Sequence, residues 1–144
     1  LLQVQQSSSL HQAGACHRVV APQTFLLIRT EAGFRGQARA WKGLCLAAAL
    51  APLADHPLVG EVRSFGMLAA IELVKDKAGP VLFDPVGDVG VICRDHAIAG
   101  GMMMRAVRDG MIMSPPLTFG RADIDEAVRI ATMALDKTAA DLRI

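Results

Sequence analysis

Gly101 to Leu117, GMMMRAVRDGMIMSPPL, reads as a β-hairpin. Its first arm, 102–107, is a run of Met, Ala and Val with one charged residue, Arg105, in mid-strand. The second arm, 111–114, holds Met111, Ile112 and Met113 and is closed by Pro115 and Pro116. Between them Arg108, Asp109 and Gly110 make a polar turn, in which the Asp-Gly pair suits the positive φ angles of a tight hairpin. Side chains alternate across a strand, so Met102, Met104 and Ala106 face one way while Met103, Arg105 and Val107 face the other. An arginine between apolar neighbours on a sheet face calls for an explanation. The residues alone offer a plain one: the aliphatic stem covers apolar surface, and the guanidinium reaches water or pairs with Asp109.

Upstream of the hairpin, Phe83, Asp84 and Pro85 predict a helix start, with Asp84 as the cap and Pro85 in the first turn. The helix runs to about Ala99 and turns Val86, Val89, Cys93 and Ala97 inward with Ile92 beside them. Gly100 and Gly101 then stop it as left-handed caps. Before it, Leu58 to Arg63 predicts a first strand that turns at Ser64, Phe65 and Gly66. Residues 67–73 predict a second, in which Met67, Ala69, Ile71 and Leu73 alternate with Leu68, Ala70 and Glu72. Near its start both faces are apolar, which suits a central strand.

Arg35 to Leu50 is rich in Ala and Leu and predicts a helix that turns Leu44, Ala47, Ala48 and Leu50 toward a core, with Pro52 ending it. After Pro116 a last helix begins near Gly120 or Arg121. Asp123, Asp125 and Glu126 sit in its first turns, where negative charge suits the helix dipole. Its stripe is Ile124, Ala127, Val128, Ala131, Leu135, Thr138 and Leu142. From mid-chain the order is helix, strand, strand, helix, strand, strand, helix. That order predicts an α+β fold with a small antiparallel or mixed sheet of about four strands and its helices packed on one face. Residues 1–33 show no sustained period beyond a short apolar run, Phe25 to Ile28, that suits one strand.

The 144 residues have the length of one domain, and a hydrophobic fraction of 52% is ample for a core. A net charge of +1, no basic cluster, one Trp and no Tyr argue against a nucleic-acid binder. No apolar run approaches the ~20 residues that cross a bilayer. Cys16, Cys45 and Cys93 have no paired spacing, so neither a zinc site nor a disulfide framework is expected and a reducing cytoplasm fits. Residues 1–30 hold no Asp or Glu, and the chain starts at Leu1 without an initiator Met. It reads as a piece of something longer, divided into an unassigned segment 1–49 and a domain 50–144.

Several residues invite chemistry and decline it. His11, His17, His56 and His96 have no acidic partner at a fixed local spacing, so no triad or metal site is expected from them. The methionines of the hairpin suit adaptable core better than a soft metal. The stretch FDPVGDVG from Phe83 looks like a phosphate loop but lacks GxGxxG and a Walker lysine. Lys42, in Trp41-Lys42-Gly43-Leu44, is a weak candidate for a Schiff-base lysine.

Taken together, ADHPLVGEVRSFGMLAAIELVKDKA from Ala54, FDPVGDVG from Phe83, and GMMMRAVRDGMIMSPPL followed by ADIDEAV resemble the C-terminal small domain of class III pyridoxal-phosphate aminotransferases. The likeness is to the omega-aminotransferases that use pyruvate as amino acceptor, and it covers Leu50 to Asp141. It departs at Gly120, where the family often has a Ser or Thr cap, at a cost of only a few tenths of a kcal/mol. It departs more in what is missing. The Schiff-base lysine, the aspartate facing the cofactor ring and the phosphate-holding loop belong to the family's large domain, which residues 1–48 do not resemble. The resemblance implies pyridoxal phosphate and a homodimer in the complete enzyme, with no catalytic, cofactor-binding or metal residue in this chain. It also implies that Arg105 is the arginine that meets the substrate carboxylate. The reading from another class is a non-catalytic α+β interaction module whose exposed apolar sheet face docks a partner.

Overall fold

In the computed structural model, which describes residues 34–79 and 81–144, the sheet is four strands, all antiparallel. They are β1 (Val59–Phe65), β2 (Leu68–Leu73), β3 (Arg105–Val107) and β4 (Gly110–Met113), in the spatial order β1-β2-β4-β3. Three helices accompany them: α1 (Phe34–Leu50), α2 (Asp88–Ala99) and α3 (Arg121–Leu142). The α+β class and the element order expected from the sequence are those observed. The expected strand at Phe25 to Ile28 lies outside the described residues.

β2 is central, as its two apolar faces predict. Met67, Ala69, Ile71 and Leu73 are all buried, and they pack with Met111 and Met113 of β4, Cys93 and Ala97 of α2, and Ile124 and Leu135 of α3. Cys45, Leu46 and Leu50 of helix α1 are fully buried in that same core. The expected inward face of α1 needs correction, because Leu44, Ala47 and Ala48 are only half-buried. From Leu44 to Leu50 every position of this helix is apolar, so composition could not orient it. A close backbone approach does: a Cβ on Gly43 would lie 2.7 Å from the Gly66 Cα. Gly66 holds the β1–β2 turn at φ +58°, so Gly43, Leu46 and Leu50 form the stripe that faces the sheet. β1 itself runs on to Phe65, two residues past the expected Arg63. Pro52 ends α1 as predicted, and residues 51–55 continue as a 3-10 turn.

The start of α2 is a second correction. Asp84 does not cap it and Pro85 is not in its first turn. The helix begins at Asp88 behind Gly87 at φ +105°, and the Asp84–Pro85 bond is cis. Val86 therefore precedes the helix and is exposed rather than inward, whereas Val89, Cys93 and Ala97 are buried as expected. At the other end only Gly101 is left-handed, at φ +94°, while Gly100 stays right-handed at φ −79°. For α3 the predicted start and stripe both hold. Ile124, Ala127, Ala131, Leu135 and Thr138 are buried, and the Gly120 N–H donates to the Asp123 carboxylate at 2.8 Å. That bond is the half of a capping box that needs no cap side chain.

The hairpin is tighter than its sequence suggests. Val107 pairs with Gly110, leaving a loop of Arg108 and Asp109, and the positive φ falls on Arg108 at 55° instead of on the Asp-Gly pair. A non-glycine residue held there costs about 1–2 kcal/mol. Arg108→Gly removes that cost, partly offset by the greater freedom of glycine in the unfolded chain. The expected net gain is about 0.5–1 kcal/mol, seen as a higher urea midpoint at unchanged slope.

Candidate functional site: the hairpin arginine and the outer face of the sheet

Arg105 opens β3 and is exposed, and its apolar neighbours lie where alternation puts them. Met104 is buried, whereas Met103 is 86% and Val107 45% exposed on the same side as Arg105. The register carries this outer face across the whole sheet. Arg105 stands opposite Ile112, Ile112 opposite Ala70, and Ala70 opposite Arg63. The row therefore has a guanidinium at each edge and an apolar floor between them. Arg63 is neutralised locally, by Glu72 at 3.1 Å and Glu61 at 3.6 Å. Arg105 has no ion pair among the described residues.

The expected alternative, a surface pair with Asp109, is overturned because that carboxylate is engaged elsewhere. Asp109 is 2% exposed, and its two oxygens accept from the Gly87 and Gly90 N–H groups, each at 2.9 Å. These N–H groups belong to the first turn of α2, where four donors lack intrahelical partners and the dipole favours negative charge. The Asp109 carbonyl also accepts from Leu73 N–H at 2.9 Å. One residue of the hairpin loop thus fastens the hairpin to both α2 and the end of β2. Sequence reasoning took Asp109 for a turn residue. The FDPVGDVG stretch was the available signal: it looks like a phosphate loop without that loop's motif residues, and the anion its N–H groups hold is a protein carboxylate.

The other candidates are accounted for by packing. Lys42 donates from Nζ to the Leu117 carbonyl at 2.6 Å, tying α1 to the segment after β4. His56 accepts from Leu58 N–H through Nδ1, and its Nε2 lies 3.3 Å from Asp136 of α3. His96 Nε2 lies 2.7 Å from Asp141 of the same helix. Both histidines therefore have acidic partners after all, brought from distant sequence. Each pair fastens an earlier element to α3. His11 and His17 lie outside the described residues. Among the described residues no cluster of three or more His, Cys, Asp or Glu is placed to hold a metal, and no helix is long and apolar enough to cross a membrane. Met104, Met111 and Met113 are core.

Cys93 is buried, and burial pushes its thiol above the ordinary value against a smaller opposite effect of its hydrogen bond with Thr138. The neutral thiol is thus favoured in the folded state. A folded pKa above the unfolded one contributes stability that is complete below the unfolded value, and the contribution is lost as pH rises through the folded value. Stability should therefore begin to fall above about pH 8.5, and Cys93→Ser should flatten that alkaline slope. Iodoacetamide should label neither Cys93 nor the buried Cys45 until the chain is unfolded, as read by mass spectrometry.

No family model matches the chain. It is 53% identical over 88 residues to the putrescine–pyruvate aminotransferase of Pseudomonas aeruginosa, a match over 61% of this chain and 19% of that protein. It is 40% identical over 89 residues to the diaminobutyrate–2-oxoglutarate transaminase of Halomonas elongata, over 60% of this chain and 19% of that protein. Among solved structures it superposes on the omega transaminase from Pseudomonas jessenii in complex with PMP with a TM-score of 0.72 and 32% identity. That superposition covers 75% of this chain and 24% of the transaminase. The chain spans about a fifth of the length of the curated relatives it matches.

Proposed function

We propose that this chain, similar over part of its length to aminotransferases, is the substrate-covering small domain of a class III pyridoxal-phosphate-dependent aminotransferase. The complete enzyme would move an amino group from an amine or an omega-amino acid to pyruvate. In that enzyme Arg105 meets the substrate carboxylate. One observation carries the assignment: Arg105 stands exposed on an apolar sheet face without an ion pair among the described residues, on a hairpin locked to α2 by Asp109. A planar guanidinium can hold a carboxylate through two parallel hydrogen bonds. Its long arm can also withdraw when the same pocket takes an uncharged amine.

The described residues do not fit the cofactor. Lys42 Nζ is engaged by a main-chain carbonyl, and the groove on the outer face is lined by Phe65, Leu68, Ala70 and Ile112 with Arg63, without a lysine. Pyridoxal phosphate belongs to residues outside this part, and so does the chemistry at the amino group. We place the complete enzyme in the cytoplasm as a homodimer.

The test is a chimera in which residues 34–144 replace the matching part of the Pseudomonas aeruginosa enzyme. There Arg105→Ala should lower kcat/KM for pyruvate by about 2 kcal/mol, the scale of a charge-assisted hydrogen bond, while sparing an aldehyde acceptor. Equal loss with both acceptors means that Arg105 supports the fold. The reading as a non-catalytic interaction module is favoured by the exposure of Phe65 and Met103, and it predicts no dependence on acceptor charge.

A further inference from the structure

We infer that α2 is the ruler that sets where Arg105 stands, and that Asp109 is a positioning residue for carboxylate recognition, an inference that rests on the functional reading above. β3 is a poor support by itself. It is three residues long and lies at the edge of the sheet, and among the described residues its backbone pairs with β4 alone. The chain around it, however, is fastened at both ends to the same helix. Upstream, the Met102 N–H donates to the Ala97 carbonyl at 3.0 Å and the Gly101 N–H to the Ile98 carbonyl at 2.9 Å, closing the last turn of α2 with Gly101 at φ +94°. Downstream, the Asp109 carboxylate accepts from the Gly87 and Gly90 N–H groups at its first turn. Arg105 stands between the two attachments, three residues after Met102 and four before Asp109. The 12 residues of α2 make a stiff rod of about 18 Å that holds those attachments apart.

The two attachments differ in what they depend on. The upstream one is made by backbone groups of the helix terminus. The downstream one hangs on a single carboxylate, 2% exposed, where a Cβ on Gly90 would lie 2.2 Å from the Arg108 carbonyl oxygen. Helix and loop thus meet backbone to backbone. Both Asp109 oxygens are taken by α2, so the effect of Asp109 on Arg105 travels through the chain and not through an ion pair. Two parallel hydrogen bonds to a carboxylate demand exact placement of the guanidinium. A misplacement of about 1 Å can cost about a hundredfold in rate. An aldehyde acceptor makes no such pair, so loosening the α2 end should be felt with pyruvate and not with the aldehyde.

The experiment uses the chimera described above and reads the ratio of kcat/KM for pyruvate to kcat/KM for an aldehyde acceptor. Rates are counted per cofactor-loaded site, so a variant that folds poorly still reports through the fraction that folds. Asp109→Asn should lower the ratio about five- to tenfold, through KM for pyruvate. Gly90→Ala, which displaces the same loop but keeps the carboxylate, should do the same. Ile124→Val, which loosens the buried start of α3 and leaves the hairpin junction intact, should not change the ratio. The deciding measurement is a double variant: in the Arg105→Ala background Asp109→Asn should no longer change the ratio, because the residue through which it acts is gone. Three results overturn the inference: a ratio unchanged by both Asp109→Asn and Gly90→Ala, an equal fall with Ile124→Val, or a fall that persists in the Arg105→Ala background. Arg105→Ala alone separates the two readings. If it leaves the ratio unchanged, carboxylate recognition fails and this inference with it; if it lowers the ratio while Asp109→Asn and Gly90→Ala do not, only this inference fails.

Discussion

Asp109→Ala should destabilise the chain by about 3–5 kcal/mol, most of the stability an ordinary small domain has. The size follows from what the carboxylate does. It is 2% exposed and accepts from Gly87 and Gly90 at 2.9 Å each, so truncation strands one buried and one half-buried donor at once. Each stranded donor costs about 1–3 kcal/mol, and the lost charge at the helix start adds up to about 2 more. Asp109→Asn keeps one acceptor oxygen and should cost about half as much. Asp123→Ala is the comparison, since that carboxylate also accepts at a helix start but is exposed. It should cost about 1 kcal/mol. Urea midpoints of the three variants settle the ranking. Equal effects of Asp109→Ala and Asp123→Ala would show that burial of the Asp109 bonds contributes nothing. Because the lost bonds join the hairpin to α2, hydrogen exchange should rise first at Gly87, Gly90 and the hairpin amides and only later in α3.

Asp109 also shows where a sequence stops being legible. The α+β class, the order of elements, the central place of β2 and the stripe of α3 all rest on short-range periodicity, and periodicity is a property of the residues themselves. The face of α1 does not rest on it. In a helix where Leu44, Cys45, Leu46, Ala47, Ala48 and Ala49 are all apolar, the inward side is chosen by whatever the helix meets. Here that is a turn glycine more than twenty positions away. The start of α2 was misplaced for a related reason: its capping carboxylate comes from 19 and 22 positions downstream, while the local sequence offered Asp84 and Pro85 as a plausible substitute. His96 and Asp141 are 45 positions apart, beyond any local spacing rule. Arg105 lies between these cases. Its face was legible from alternation alone, but the identity of its partner was not. Short-range reasoning offered Asp109, the nearest carboxylate, and the fold spends that carboxylate on α2.

Gly90→Ala, a substitution that ordinarily stabilises a helix by about 0.5–1 kcal/mol, should instead cost at least about 3 kcal/mol here. The reversal has a steric cause. A Cβ on Gly90 would lie 2.2 Å from the Arg108 carbonyl oxygen and 3.1 Å from the Asp109 Cα. Both are backbone atoms of the two-residue loop, so no flexible side chain can swing aside. The loop must retreat by roughly 1 Å, and in a close-packed interior such overpacking costs about 1–3 kcal/mol by itself. The retreat also breaks the Gly90 N–H bond to Asp109, and the two losses add because one displacement causes both. Gly79→Ala is the control: nothing lies within 4 Å of its added methyl, so its effect should stay within about 0.5 kcal/mol. A double-mutant cycle gives the sharper measurement. In the Asp109→Ala background the Gly90 bond is already gone, so Gly90→Ala should cost at least 1 kcal/mol less than it does alone. Strict additivity would mean that the loop and the helix start are not one junction, and that the hairpin carrying Arg105 is positioned by its strand pairing with β4 alone.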